Sequence, residues 1–260
     1  MTTRLAVVGA SGRMGRAVVR LAVEARMELV CAIATTEVGR DAGELAGIGP
    51  IGTVVADAFA ALEHVRADVV IDFSTPHATL TLAPIAAAAG TAIVSGTTGL
   101  GDDARAALDR AAARVPVLWE PNMNLRVHVL SSLVARAAME LPDWDVEIVE
   151  THHRAKVDAP SGTALRLAEA VQKARAGTRL VHGRHGRPGA RSTAEIGMHA
   201  LRGGDVVGDH EVHLLGGGER IELTHRATSR DVFAHGALRA AAWIVGKTPG
   251  TYSLADVLSR

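Results

Sequence analysis

The sequence predicts an α/β protein in two parts, a doubly wound parallel-sheet domain followed by an α+β domain with a largely antiparallel or mixed sheet. Three observations predict it. Over the first 120 residues, short apolar β-branched runs alternate with alanine-rich helical stretches, the pattern of repeated βα units. A glycine-rich turn directly follows the first of those runs. After Asn122 the pattern gives way to period-two segments, which suit strands with one buried face. At 260 residues and 48% hydrophobic, the chain is long and apolar enough for one large or two moderate domains.

In chain order, strands are expected at Leu5–Val8, Leu29–Ala34, Val69–Phe73, Ala92–Ser95 and Val117–Trp119. Helices are expected at Arg13–Ala25, Ala78–Ala89 and Asp102–Arg114, where helix formers recur with apolar residues on one face. The second part opens with a helix near Val127–Met139 and a strand at Asp145–Glu150. A helix at Thr163–Ala174 follows, then a polar Gly177–Arg191 segment that reads as a mobile loop. Period-two segments at Ile196–Leu201, Glu211–Leu215 and Glu219–Thr224 precede a last helix at Phe233–Val245.

With 28 Lys+Arg against 28 Asp+Glu, the formal net charge is zero, so no global field steers nucleic acid or a membrane surface to the chain. Substrate charge is then a local matter. One cysteine, Cys31 in an apolar run, excludes an intramolecular disulfide and reads as buried packing in a reducing compartment. The N-terminal apolar run is too short for a secretion signal and no stretch reaches about 18 apolar residues, so a cytoplasmic location is expected.

Gly9, Ala10, Ser11, Gly12, Arg13 and Met14, closed by Gly15, lie between a strand and a helix. A pyrophosphate there accepts N–H bonds at the helix N-terminus, although a ligand-free βα turn has the same look. The second strand runs into Ala34-Thr-Thr-Glu37 without an acid at the position that binds a ribose 2′-hydroxyl, and Glu37 and Arg40 read as solvated loop charge. NADPH and NADH both stay open. Ser95-Gly96-Thr97-Thr98-Gly99 and Glu120-Pro121-Asn122-Met123 end later strands, on the edge where open parallel sheets place ligands.

The richest run is Glu150-Thr-His-His-Arg-Ala-Lys-Val-Asp-Ala-Pro-Ser-Gly-Thr-Ala164. His152 and His153 are candidate proton carriers, since imidazole titrates near neutrality. Adjacent strand residues point to opposite faces, so both serve one site only at a strand end or in a loop. Lys156 supplies an ammonium that donates a proton or neutralises a carboxylate. Ser161, Gly162 and Thr163 open a helix, with N–H groups suited to a carboxylate; a simple helix cap is the alternative. Adjacent histidines lack zinc-ligand spacing, so no metal is expected. His182, His185, His210 and His213 read as mostly solvated.

These residues resemble the 4-hydroxy-tetrahydrodipicolinate reductase family, also called dihydrodipicolinate reductase, nearly end to end. The motifs are GASGRMGR at the start, DAGELAG at 41–47, VVIDFSTP at 69–76, SGTTG at 95–99, THHRAKVDAPSGTA at 151–164, and RGGDVVGDH, ELTHRATSR and DVFAHGALRAAAWI beyond. The resemblance implies a Rossmann-like dinucleotide-binding domain at 1–123, a substrate and oligomerisation domain at 124–233, and a 234–260 segment returning to the first. It also implies a homotetramer and hydride transfer from NADH or NADPH to a cyclic imine dicarboxylate. It makes His152 the general acid/base and Lys156 the proton donor, with His153, Ser161, Gly162 and Thr163 on the substrate carboxylates. Gly9 to Met14, Gly96 to Thr98 and Glu120 to Met123 match the family's cofactor contacts. One segment departs: Asn122-Met-Asn-Leu-Arg-Val-His128 stands where the family has Asn-Phe-Ser-x-Gly-Val-Asn, so Arg126 replaces a glycine.

Overall fold

A computed structural model of the chain describes residues 2–259. It divides into two compact units, one built from the residues up to Asn124 together with those from Asp231 onward, the other spanning Leu125–Arg230. The chain therefore leaves the first unit and comes back to it.

The first unit contains β1 (Arg4–Val8), α1 (Arg13–Glu24), β2 (Glu28–Ile33), α2 (Ala42–Leu45), β3 (Val55–Ala56), β4 (Val69–Asp72), α3 (Pro76–Ala89), β5 (Ala92–Ser95), α4 (Asp102–Ala112) and β6 (Pro116–Trp119). The second contains α5 (Leu125–Glu140), β7 (Asp145–His152), α6 (Gly162–Ala174), β8 (Arg179–His182), β9 (Glu195–Arg202), β10 (Gly208–Leu215) and β11 (Arg220–Ala227). The returning segment adds α7 (Asp231–Ile244), β12 (Gly250–Tyr252) and α8 (Leu254–Leu258) to the first unit.

The sheet of the first unit is all parallel, in the order β12-β6-β5-β4-β1-β2-β3. Central β4 buries Val69, Val70 and Ile71 completely. Each such side chain contributes about 1.5–3 kcal/mol when fully buried, which is why these strands read as apolar runs rather than alternating ones. The winding direction changes between β1 and β4, the point where doubly wound sheets open a crevice at the strands' carboxyl ends. The helices end where their chemistry says they should. Thr75 caps α3 through Ala78 N–H, Pro76 takes its first turn, and Gly90 closes it at φ +69°. Capping thus starts α3 two residues before the position expected from helix formers alone.

In the second unit the five strands run in the order β11-β10-β7-β9-β8, mixing antiparallel β7–β10–β11 with parallel β7–β9–β8. α5 and α6 pack on one face, over a core that includes Leu130, Val134, Leu167, Ile148, Ile196, Val212 and Leu214. The Gly177–Arg191 segment, expected to be a mobile loop, contains β8, which pairs with β9 from Arg179↔Glu195 to His182↔Met198. Its apolar content, Leu180 and Val181, is too brief to stand out among glycines, arginines and histidines.

Candidate active site

Strand β7 alternates strictly, and Val146, Ile148, Glu150 and His152 fall on its buried face. The register that makes Val146 and Ile148 core residues therefore carries a carboxylate and an imidazole into the same helix-covered row. Burying a carboxylate is costly unless it is fully bonded. Glu150, 1% exposed, meets that condition four times. Arg202, opposite His152 in the β7–β9 register, donates to both Glu150 oxygens at 2.8 Å, Ser161 N–H donates at 3.0 Å, and His152 Nδ1 lies 2.6 Å from Oε2. Burial works to raise the Glu150 pKa, yet these partners outweigh it and hold the carboxyl below its usual range. Burial likewise pushes the His152 imidazole below its ordinary value, with Glu150 pulling part of the way back.

The bond to Glu150 orients the ring with Nδ1–H toward the carboxylate, leaving Nε2 as the nitrogen not committed to it. The Nε2 edge faces Gly208, where an added Cβ would stand 2.9 Å away. His152 is the last residue of β7, so His153 escapes the strand's alternation. The His153 backbone N–H bonds Val206 and its Nε2 accepts from Arg230 at 3.3 Å. Lys156 bonds both oxygens of Asp158, at 2.7 and 2.9 Å.

Helix α6 begins at Gly162 with Ser161 as its N-cap, the hydroxyl accepting from Ala164 N–H at 3.2 Å. The Ser161 N–H is committed to Glu150, so it is not open to a ligand as the sequence suggested. Gly162 and Thr163 open the first turn of the helix behind it. The Ser161 hydroxyl also meets His210 Nε2 at 3.0 Å, and the His210 ring packs edge-on against His152 with centroids 5.1 Å apart. His210 was expected to be solvated. It is 3% exposed because β10 places it in line with Val212 and Leu214, and burial pushes its pKa down to about 3. His182 and His185 are exposed, and His213 is half-buried. Among the described residues no three His, Cys, Asp or Glu side chains converge as a metal site.

In the first unit, the turn after β1 holds Gly9 at φ +80°, and a Cβ there would stand 2.3 Å from the Phe73 carbonyl. Gly9 and Ala10 both donate to Ile33 O, and Gly12 N–H donates to Gly9 O. A Cβ on Gly15 would meet Gly9 O at 2.1 Å, so α1 lies directly on the turn. Helix α1 has no side-chain cap and no acid in its first turn. Helix α4 also begins at an uncapped glycine but carries Asp102 and Asp103 in its first turn, whereas α2, α3, α6 and α8 are capped by side chains. A bare helix start behind a glycine cradle fits a dinucleotide pyrophosphate. Gly96, Thr97 and exposed Thr98 follow β5, and Glu120 to Met123 follow β6, on the same carboxyl edge. Met123, 1% exposed, serves the core with its side chain. At the end of β2, Glu37 sits at φ +61° and accepts from Arg40 at 2.8 Å, with Arg16 3.5 Å away, while Thr36 bonds Ser11 at 2.7 Å. The Glu37–Arg40 pair stays in solvent, as the sequence suggested, and Arg16 links it to the edge of the glycine turn.

Two family models match the chain, one described as dihydrodipicolinate reductase, N-terminus, over residues 3–123, and one as dihydrodipicolinate reductase, C-terminus, over 126–258. The chain belongs to the dihydrodipicolinate reductase family. It is 48% identical to the 4-hydroxy-tetrahydrodipicolinate reductase of Myxococcus xanthus, over 98% of this chain and 97% of that one. It is also 48% identical to the same-named protein of Archaeoglobus fulgidus, over 98% and 99%. Its fold matches a dipicolinate-bound dihydrodipicolinate reductase from Paenisporosarcina sp. TG-14 with a TM-score of 0.80, at 24% identity, covering 97% of this chain and 98% of the other.

Against this family membership, Arg126 and His128 fall in the first turn of α5, and His128 Nε2 accepts from Arg166 at 2.9 Å. Arg202, Gly208 and His210 all lie in the RGGDVVGDH motif, which the sequence reading quoted without giving any of them a place in the site. The available signal was register: His210 stands two residues before Val212 in a period-two run, a polar residue at a core position.

Proposed function

We propose that this chain reduces 4-hydroxy-tetrahydrodipicolinate or dihydrodipicolinate to tetrahydrodipicolinate, the step its named relatives perform in lysine and diaminopimelate synthesis. Bound NADH or NADPH supplies the hydride. The chain is an NAD(P)H-dependent oxidoreductase by family, and its own geometry supports the residue roles assigned below. The observation that carries the reading is the buried Glu150–His152 pair, 2.6 Å apart, beside Lys156 and the start of α6.

Reducing a ring imine places charge on nitrogen unless a proton arrives as the new C–H bond forms. Lys156 is the proton source, an ammonium whose pairing with Asp158 restrains it within this run. His152, neutral because it is buried, exchanges a proton at Nε2, and Glu150 stabilises the imidazolium whenever one forms. Gly162 and Thr163 at the helix start, with His153, hold the substrate carboxylates and fix the ring's orientation. Ser161 contributes its hydroxyl and shapes the cap. In the first unit, the Gly9–Met14 turn takes the pyrophosphate, and Gly96 to Thr98 with Glu120 to Met123 take the nicotinamide half.

The helices of the second unit cover one face of its sheet. The other face carries Glu147, His199, Glu211 and Arg226 and is the surface we assign to homotetramer assembly, tested by light scattering for a mass four times 27.1 kDa. Cys31, buried and with its thiol pushed up to about 11 by burial, suits a reducing cytoplasm. No helix among the described residues is long and apolar enough to cross a membrane.

The test is initial-rate kinetics with enzymatically generated substrate and either nicotinamide cofactor. His152→Gln and Lys156→Ala are each expected to lower kcat by about 10²–10⁴-fold, the usual worth of a positioned acid or base, with the fold intact by circular dichroism. Near-normal turnover in both variants refutes the assignment.

A further inference from the structure

One buried carboxylate takes no part in the chemistry above. Asp72, the last residue of β4, is completely inaccessible, yet the three residues before it are Val, Val and Ile. A carboxylate in that row costs desolvation that an apolar side chain would not, and buried charge is poor evidence of a stabilising device. Its partners tell what it does. Oδ2 accepts from the Ser95 hydroxyl at 2.9 Å, the Thr97 hydroxyl at 3.0 Å and the Thr79 hydroxyl at 2.6 Å, while Oδ1 accepts from the Ser74 hydroxyl.

Three of those four hydroxyls lie at the carboxyl edge of the sheet, one in the loop after β4 and two at and just beyond the end of β5. Ser74 follows β4, and Ser95 and Thr97 bracket Gly96. The Thr97 hydroxyl, having donated to Asp72, accepts from Ser74 N–H at 3.1 Å, which joins one loop to the other. Thr97 N–H donates to the Ser95 hydroxyl at 3.3 Å and its carbonyl accepts from Trp119 Nε1 at 2.9 Å. Gly96 N–H donates to the Asp72 carbonyl at 2.8 Å, and the Phe73 ring lies 2.2 Å from where a Gly96 Cβ would be. Thr97 is thus bonded at every polar atom, and exposed Thr98 is the next residue along.

We infer that Asp72 is a positioning residue for the nicotinamide half of the cofactor, acting through the hydroxyls of Ser95 and Thr97 to set the Gly96–Thr98 backbone. The inference rests on the proposed assignment of that loop to the cofactor. A neutral amide removes the charge and makes one of the two acceptor positions a donor, so Asp72→Asn forces at least one of the four hydroxyl bonds to reverse or break, weakens the others and loosens the loop. Thr79, the fourth partner, lies within α3 and outside both loops, so Thr79→Val removes a bond to the same carboxylate without touching the loop.

The experiment is calorimetric titration of the full chain with NADPH, NADH and ADP-ribose, beside thermal unfolding. Asp72→Asn is expected to weaken the preferred dinucleotide about tenfold, the size of one lost charge-assisted hydrogen bond, and to change ADP-ribose affinity by less than about twofold. Thr79→Val is expected to lower Tm and leave dinucleotide affinity unchanged. Unchanged dinucleotide binding in Asp72→Asn, or equal losses for dinucleotide and ADP-ribose, overturns the inference. Should Asp72→Asn fail to fold, Thr97→Val is expected to give the same split, and its absence there overturns the inference equally. A wild-type chain that binds neither nicotinamide cofactor instead refutes the cofactor assignment, and this inference with it.

Discussion

Replacing Gly208 by alanine tests the catalytic geometry with a single methyl. The backbone at Gly208 is one that any residue adopts, so the substitution adds bulk without conformational strain. The new Cβ would stand 2.9 Å from His152 Nε2, 3.4 Å from its Cδ2 and 3.5 Å from His210 Cε1. Non-bonded heavy atoms settle at about 3.5–4 Å, so the imidazole must retreat by roughly 0.5–1 Å. It has little room to do so, since Nδ1 is held at 2.6 Å by Glu150 and its ring edge meets His210. A displacement of that size at a reacting group costs up to about 10²-fold in rate. Gly208→Ala is therefore expected to lower kcat about 10–100-fold, or roughly 1.4–2.7 kcal/mol of barrier, and to destabilise the fold by about 1–3 kcal/mol through overpacking. NADPH affinity should not change. The assay is initial rate at saturating cofactor, with dinucleotide titration and urea unfolding alongside. Gly203→Ala is the control, because a Cβ there meets nothing within 4 Å. A Gly208→Ala enzyme with kcat within about twofold of wild type would refute the claim that Nε2 must stand clear.

Two further substitutions probe the buried imidazole of β10 and the glycine turn. Burial holds His210 neutral down to about pH 3, whereas unfolded histidine takes up its proton near 6.5. The unfolded chain thus binds more protons between those values, and stability present above 6.5 drains away as pH falls toward 3. By urea unfolding, wild type should lose about 2 kcal/mol more than His210→Gln between pH 7 and pH 5, and equal losses would discredit the buried neutral imidazole. In the glycine turn, a Gly15→Ala methyl would collide with Gly9 O at 2.1 Å and Ala10 Cα at 2.7 Å, backbone atoms that cannot swing aside. Dinucleotide affinity should fall at least about tenfold by calorimetry, and wild-type affinity would show that α1 need not lie on the turn.

Strand and helix positions in the first unit could be read from the chain because buried parallel strands are continuous apolar runs, unmistakable at Val69–Ile71. The ends were less legible. Helix α3 starts at its cap and proline, Thr75 and Pro76, and β7 runs on to His152, since pairing with Arg202 of β9 continues the strand past Glu150. Brief elements such as β3, β8 and β12 depend on an already formed neighbour and leave almost no local pattern. At the site, His152, Lys156 and the α6 start lie within one short run and are visible as a motif. Arg202, Gly208 and His210 come from other strands, and only sheet register brings them to Glu150 and His152. The Ser161 N–H illustrates the limit: its position at a helix start suggested a free donor, but a carboxylate eleven residues earlier had already claimed it.

The discontinuity of the first unit sets a schedule for making the protein. When the ribosome has released Asn124, six strands of the parallel sheet exist but its β12 edge does not, and α7 is still unsynthesised. That helix packs on α1, β4, β5 and β6 and buries Ala234, Ala237, Leu238, Ala241 and Ile244. At about 5–20 residues per second, the intervening hundred or so residues take roughly 5–20 s to emerge. For that interval the nascent first unit presents an apolar flank and an unpaired sheet edge, while the second unit, contiguous in sequence, can close as soon as it clears the exit tunnel. Birth order and completion order are therefore opposite, and truncations within the last 30 residues should strike the glycine-turn unit, the one encoded first.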